Sequence, residues 1–215
     1  MRHIPVGETR DVPVLTFEEA LKPVSTDYDR DRWIYVPDFY GEYRYILGTR
    51  GARPLICVGV NPSTAVPGRL DNTLKSAERI ALNNGFDSFL MFNVYAQRAT
   101  VPDDMDRCLN LLLHRENMKA FAWMLDGISG QPAVWAAWGA VIEKRPYLPL
   151  CVKDMVAIGE KKGVRWYTAG PRSKAGHPHH PLYLKKDVSL DPFSDLASYL
   201  ESLETFFVRN PQPRE

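Results

Sequence analysis

Cysteine is scarce in this chain. Three residues, Cys57, Cys108 and Cys151, lie far apart in 215 positions and form no Cys-x-x-Cys pair. That excludes a disulfide framework and a thiolate zinc ribbon, and it fits buried thiols in a reducing compartment. Long apolar runs are also missing. None approaches the roughly 20 residues needed to span a bilayer. The opening "MRHIPVGETRDVPVLTF" lacks the apolar stretch of a secretory signal. These absences lead us to expect a soluble cytoplasmic protein with no membrane partner. Neither sign of charge dominates: 27 Lys and Arg face 26 Asp and Glu, for a net charge of +1. A chain-wide nucleic-acid or membrane attraction is therefore excluded, although a local basic groove is not. Glycine-rich phosphate loops are absent too. The segment after the first apolar strand holds only Gly68 and no Gly-Lys-Ser/Thr, so it is neither a P-loop nor a dinucleotide fingerprint. No cofactor is indicated.

What the chain does contain is enough apolar residue, 45%, for one domain with a substantial core. Residues 1–40 are rich in Pro, Asp, Arg and Tyr without sustained periodicity. They read as an arm that packs on the core through Trp33, Tyr35, Phe39 and Tyr40. "YRYILG" alternates as an edge strand should. From residue 54 a rhythm begins. "PLICVGV", "SFLMFNV", "AVWAAWG" and "VRWYTAG" are continuous apolar strands. Between and after them, "TLKSAERIALNNG", "CLNLLLHRENMKAFAWML", "LPLCVKDMVAIGEKKG" and "DPFSDLASYLESLETFF" have helical spacing. In the last helix Asp191 reads as the N-cap and Pro192 as the first turn. Such alternation predicts an α/β fold: a three-layer α/β/α sandwich with a mainly parallel sheet of four to five strands, spanning residues 41–206. Residues 207–215 read as a frayed tail.

Parallel sheets bind ligands beyond the carboxyl ends of their strands. The loops 61–72, 94–104, 138–147 and 169–184 therefore carry the candidate site. Asn61 leads the first of them, and Pro62 stiffens the turn. An amide has no titration near neutrality, yet it can hold a water or an amide-like edge with donor and acceptor together. Plain turn chemistry would also explain Asn-Pro-Ser-Thr. Ser63 and Thr64 follow, and Asp71 or Thr73 reads as the cap of the next helix, whose start could also hold an anion. Asn93, Tyr95 and Arg98 stand after the second strand. Arg98 either clamps a phosphate or carboxylate or pairs with Asp103 or Asp104 on the surface. Trp135 and Trp138 belong to the third strand and point to opposite faces. Trp138 is the better placed of the two to stack on a planar ligand.

"SKAGHPHHPLYLKK" groups His177, His179 and His180 between two prolines, with Arg172, Lys174, Lys185 and Lys186 around them. Three imidazoles could ligate zinc, but adjacent histidines with an intervening proline converge poorly. The other readings are a solvated basic loop and a stiff loop that aims one imidazole into a site.

Together "NPSTA", "DNT", "NVYAQRAT", "AAWG" and "GHPHHPLYL" resemble a bacterial and phage family catalogued as domain of unknown function 1643, over roughly residues 43 to 185. More distantly, "VGVNPS" and "HPLYL" are similar to the first and second motifs of the uracil-DNA glycosylase superfamily, especially its mismatch-specific branch. That likeness implies an α/β/α sandwich in which Asn61 positions the attacking water and His180 hydrogen-bonds the base. Leu182 then stands where the superfamily wedges the duplex, with Tyr183 beside it. Arg98, Arg172, Lys174, Lys185 and Lys186 would track phosphates, and a base within a duplex would have to be flipped out. The expectation is a nucleobase-recognising hydrolase that acts on DNA or a nucleotide. Two alternatives stay open: a non-catalytic base or nucleotide binder of the same fold, and a nucleotide- or DNA-modifying enzyme of different chemistry.

Overall fold

The computed structural model describes residues 2–25 and 27–209. Seven strands form one mixed sheet, in chain order β1 (Trp33–Val36), β2 (Ile46–Thr49), β3 (Pro54–Gly59), β4 (Ser88–Asn93), β5 (Ala133–Ala136), β6 (Arg165–Ala169) and β7 (Leu190–Pro192). Their spatial order is β1-β2-β4-β3-β5-β6-β7. The central β4, β3, β5 and β6 run parallel. β1 pairs with β2, β2 with β4 and β7 with β6 antiparallel. The sheet is thus wider than the four to five strands expected, because the two short outermost strands β1 and β7 carry no long apolar run.

Both of these edges correct the sequence reading. "WIYV" lies within the stretch read as an arm, yet it forms the outermost strand, so β2 is internal. Its residues are buried, Ile34 and Val36 in the core that holds Phe17, and Trp33 and Tyr35 in the core on the other face. Asp191 and Pro192 do not start a helix. They pair with Thr168 and Tyr167 as β7, a position that tolerates proline because an edge strand needs no second ladder. The stretch read as a frayed tail ends the last helix at residues 207–209, and its remainder, 210–215, lies outside the described residues.

Helices cover both faces. α1 (Phe17–Ala20), α3 (Leu111–Asp126), α4 (Leu148–Lys161) and α5 (Leu196–Arg209) pack on one side, and α2 (Asn72–Asn83) on the other. The period-2 rule of a strand assigns side chains to each face. Ile56, Val58, Val134 and Ala136 join the first core, whereas Leu55, Cys57 and Trp135 join the second. α2 supplies Leu74, Ala77, Ile80 and Ala81 to that second core. Each of these side chains contributes about 1.5–3 kcal/mol when it is large and fully buried. No helix among the described residues is long and apolar enough to cross a membrane.

The N-terminal segment is tied down by a buried carboxylate. Asp106 Oδ1 accepts from the Thr9 backbone N–H at 3.0 Å and from Gln97 Nε2 at 2.7 Å. Its Oδ2 accepts from the Tyr95 hydroxyl at 2.7 Å and from the Thr9 hydroxyl. Tyr95 is therefore consumed as a structural donor.

Candidate active-site cavity at the switch point

The chain leaves β3 toward β4 over one face and returns from β4 to β5 over the other. The loops that follow β3 and β5 consequently diverge, and such a switch point opens a crevice. A cavity of about 750 Å³ lies there, within the usual range for small-molecule sites. It is walled by the segment after β3, the start of α2, the ends of β4 and β5, and the histidine loop after β6.

Asn61 and His180 both line this cavity. The Asn61 amide is oriented by its surroundings: Nδ2 donates to Ala99 O at 2.7 Å and to Pro62 O at 3.1 Å. Both of its N–H bonds are thereby spent on backbone carbonyls, and Oδ1 remains as the free acceptor. His180 caps the short 3-10 turn Pro181–Tyr183, and its Nδ1 lies 3.4 Å from the Leu182 backbone N–H that points to it. With Nδ1 as acceptor, the neutral ring carries its proton on Nε2. Burial pushes the His180 pKa below its ordinary 6.5, while the Asp71 carboxylate pulls it upward. The ring is neutral at pH 7 and presents a donor.

Asp71 also lines the cavity and caps α2, accepting from Leu74 N–H at 2.9 Å. Ser63 and Thr64 line it as well, and the Ser63 hydroxyl meets Thr100 Oγ1 at 3.1 Å. Asn93 is buried at the end of β4, beside Gly59 of β3. A Cβ at Gly59 would meet Asn93 Nδ2 at 3.0 Å and Met91 Cε at 2.7 Å, so the missing side chain lets that amide approach the sheet. Asn93 Oδ1 faces Arg44 Nη2 at 3.4 Å. Leu182 and Tyr183 stand on the rim, 47% and 77% exposed.

His177 and Trp138 line the cavity but are committed to the protein. The Tyr199 hydroxyl accepts from Trp138 Nε1–H at 2.9 Å and directs its own proton to His177 Nδ1 at 3.0 Å. His177 Nε2 then donates to Glu143 Oε1 at 2.8 Å. Both ring nitrogens are occupied, so His177 is a strut rather than a free base. Trp138 is fully buried just past β5 rather than within it, and its indole stacks on Tyr199 with ring centroids 6.3 Å apart. It offers the cavity a wall. The left-handed backbone of Gly139 (φ +59°) turns the chain sharply after it.

Two further expectations are corrected, those for Tyr95 and Arg98. Tyr95 is buried in the Asp106 network, outside the cavity lining. Arg98 neither clamps a ligand in the open nor pairs with Asp103 or Asp104. It is buried, donates to the carbonyls of Ser63 and Ala65 and to the Tyr35 hydroxyl, and lies 4.4 Å from the Tyr40 ring centroid. Asp103 pairs instead with Lys144, and Asp104 with Arg2. Arg172 is ion-paired with Asp195 and borders a separate shallow depression together with Lys174. Lys185 and Lys186 are exposed and do not line the cavity. The histidines do not converge: among the described residues no cluster of three or more His, Cys, Asp or Glu could hold a metal.

Sequence reasoning missed Arg44, Glu143 and Tyr199. Arg44 left one signal, a lone charge between Tyr43 and Tyr45 at the start of an apolar alternation. Glu143 and Tyr199 left none, since each is an ordinary helical position brought to His177 by the fold alone. A family model described as "Protein of unknown function (DUF1643)" matches residues 44–182. No curated protein matches the chain. No solved structure matches it either.

Proposed function

The chain belongs to the DUF1643 family, and we propose that it is a nucleobase-recognising hydrolase that cleaves an N-glycosidic bond in DNA or a nucleotide. One observation carries this reading: Asn61 and His180 line one cavity and offer it a free acceptor and a donor. Breaking the bond between a base and its sugar leaves positive charge on the sugar and negative charge on the base. Neither requires a strong protein base. A water held by Asn61 Oδ1 attacks the anomeric carbon, and the bonding pair leaves with the base. The water's second proton is lost to solvent or to the departing base. His180 Nε2–H hydrogen-bonds the base as its charge grows, and a neutral imidazole can do this at pH 7. The Asp71 carboxylate on the same wall stabilises the cationic sugar. Asn93 Nδ2 reads the edge of the base. In a duplex substrate Leu182, exposed on the rim, fills the gap left by a flipped nucleotide. The separate Arg172 and Lys174 patch would meet backbone phosphates.

The test is release of free base from duplex and single-stranded DNA carrying uracil or modified bases, and from nucleotides. Release by the wild-type protein should fall about 10²–10³-fold in Asn61→Ala, as for loss of one preorganised polar group. If the folded wild-type protein releases no base from any of these, the hydrolase reading fails. The non-catalytic alternative is favoured by one feature: Asn61 does not titrate, so the same cavity could hold a base without turnover. Tight binding without product would select it.

A further inference from the structure

A buried and sparsely satisfied charge borders this cavity. Arg44 is 1% exposed and lines the cavity beside Asn93. Its Nη1 reaches Ala65 O only at 3.3 Å and its Nη2 reaches Asn93 Oδ1 only at 3.4 Å, while its Nε has no partner. No carboxylate lies within ion-pair distance of it among the described residues. A guanidinium has five N–H donors in a rigid fork. Here two long contacts use a minority of them. Buried charges are ordinarily paired, because an unpaired one carries a large desolvation penalty.

Arg98 makes the contrast clear. It is equally buried and its Nε also lacks a partner, but its other nitrogens hold two backbone carbonyls and the Tyr35 hydroxyl, its guanidinium lies over the face of Tyr40, and it does not line the cavity. Arg98 is spent on the fold. Arg44 is not, and the second positive charge nearby makes its position costlier still. Burial, together with Arg98, lowers the Arg44 pKa to about 9, which leaves it charged at neutral pH. The Asp71 carboxylate compensates this charge from beyond ion-pair distance, and one of its oxygens is already held by the cap of α2.

We infer that the cavity's ligand carries an oxyanion, received by the Arg44 guanidinium beside the Asn93 amide. The guanidinium fork matches two oxygens of one phosphate or carboxylate. The oxyanion is either a phosphate ester on the sugar or a carboxylate on the base. This inference rests on the reading that the cavity is the ligand site. It does not require turnover, so a failed base-release assay leaves it standing.

The experiment is calorimetric titration of the full-length protein with matched pairs: uridine against uridine 5′-monophosphate, adenosine against adenosine 5′-monophosphate, and uracil against uracil-6-carboxylate. In at least one pair the anionic member should bind roughly 10- to 100-fold more tightly, the range for a charged hydrogen bond. A gain in the nucleotide pairs assigns the phosphate, and a gain in the last pair assigns the carboxylate. Arg44→Met should abolish the gain while unfolding at the same temperature as wild type or higher, because it removes an unpaired buried charge. Three results overturn the inference: no anionic preference in the wild type, a preference that survives in Arg44→Met, or a lowered melting temperature in that variant. The last would make Arg44 a structural residue. The wild-type comparison needs no variant to fold.

Discussion

Replacing Tyr199 by Phe removes a single oxygen from behind the lining residues Trp138 and His177 and keeps the ring. The hydroxyl accepts from Trp138 Nε1 at 2.9 Å and meets His177 Nδ1 at 3.0 Å. Both partners are buried, and neither has another partner for those atoms. Leaving a buried polar group unsatisfied costs about 1–3 kcal/mol. Two orphaned groups therefore cost about 2–6 kcal/mol. The stacking of the residue 199 ring on Trp138 should survive, so the substitution isolates the hydrogen bonds. In a domain of this size the loss lowers Tm by roughly 4–24 °C. Urea denaturation followed by tryptophan fluorescence measures it, with an unchanged slope expected because the exposed area is the same. A loss below about 0.5 kcal/mol would refute the relay from Trp138 through Tyr199 to His177 and Glu143, since surface changes without such a role fall in that range.

Other consequences follow from the same geometry. Asp106→Asn turns an amide toward donors that now converge on a carboxylate. With two charged hydrogen bonds lost, stability should fall by about 3–5 kcal/mol, and limited proteolysis should cut first near Arg10. Asn61→Ala releases the carbonyls of Pro62 and Ala99. It should cost about 1–3 kcal/mol in chemical denaturation, separately from any effect on base release. For His180 the folded pKa lies below its ordinary 6.5 because of burial. The unfolded chain therefore takes up the proton first on acidification. Its contribution to stability is fully present above 6.5 and is lost as pH falls through the lower folded value. His180→Gln should flatten that part of a stability-against-pH curve, whereas a curve unchanged by the substitution would contradict the burial argument.

The central sheet was legible because strands buried on both faces must be continuously apolar. β3, β4, β5 and β6 all fall within the runs read from the sequence. α2, α3 and α4 were legible from helical spacing, and Asp71 from its place before α2. The outermost strands β1 and β7 were not, although β2 overlaps the alternation of "YRYILG". β1 is four residues flanked by charged residues and Pro37, and its pairing with β2 is a tertiary fact with no local signature. Asp191-Pro192 suits a helix start and an edge strand equally, and only the pairing with β6 decides between them. The site divided in the same way. Asn61, Asp71 and His180 were found because topology places the loops after parallel strands together. Arg98 was misplaced because sequence cannot distinguish a guanidinium spent on carbonyls from one left free. Arg44 was missed for the converse reason: a charge just ahead of an apolar strand looks like a surface position until burial is known.

The central claim is that one planar base sits between Asn61 and His180. Titrating uracil, with adenine in a parallel sample, into isotopically labelled protein and following the side-chain resonances by NMR tests it most directly. The account predicts saturable shifts at the Asn61 and Asn93 amides and the His180 ring, with the Arg172 and Lys174 surface unmoved. Shifts confined to that surface, or none at Asn61 and His180 with either base, would contradict it.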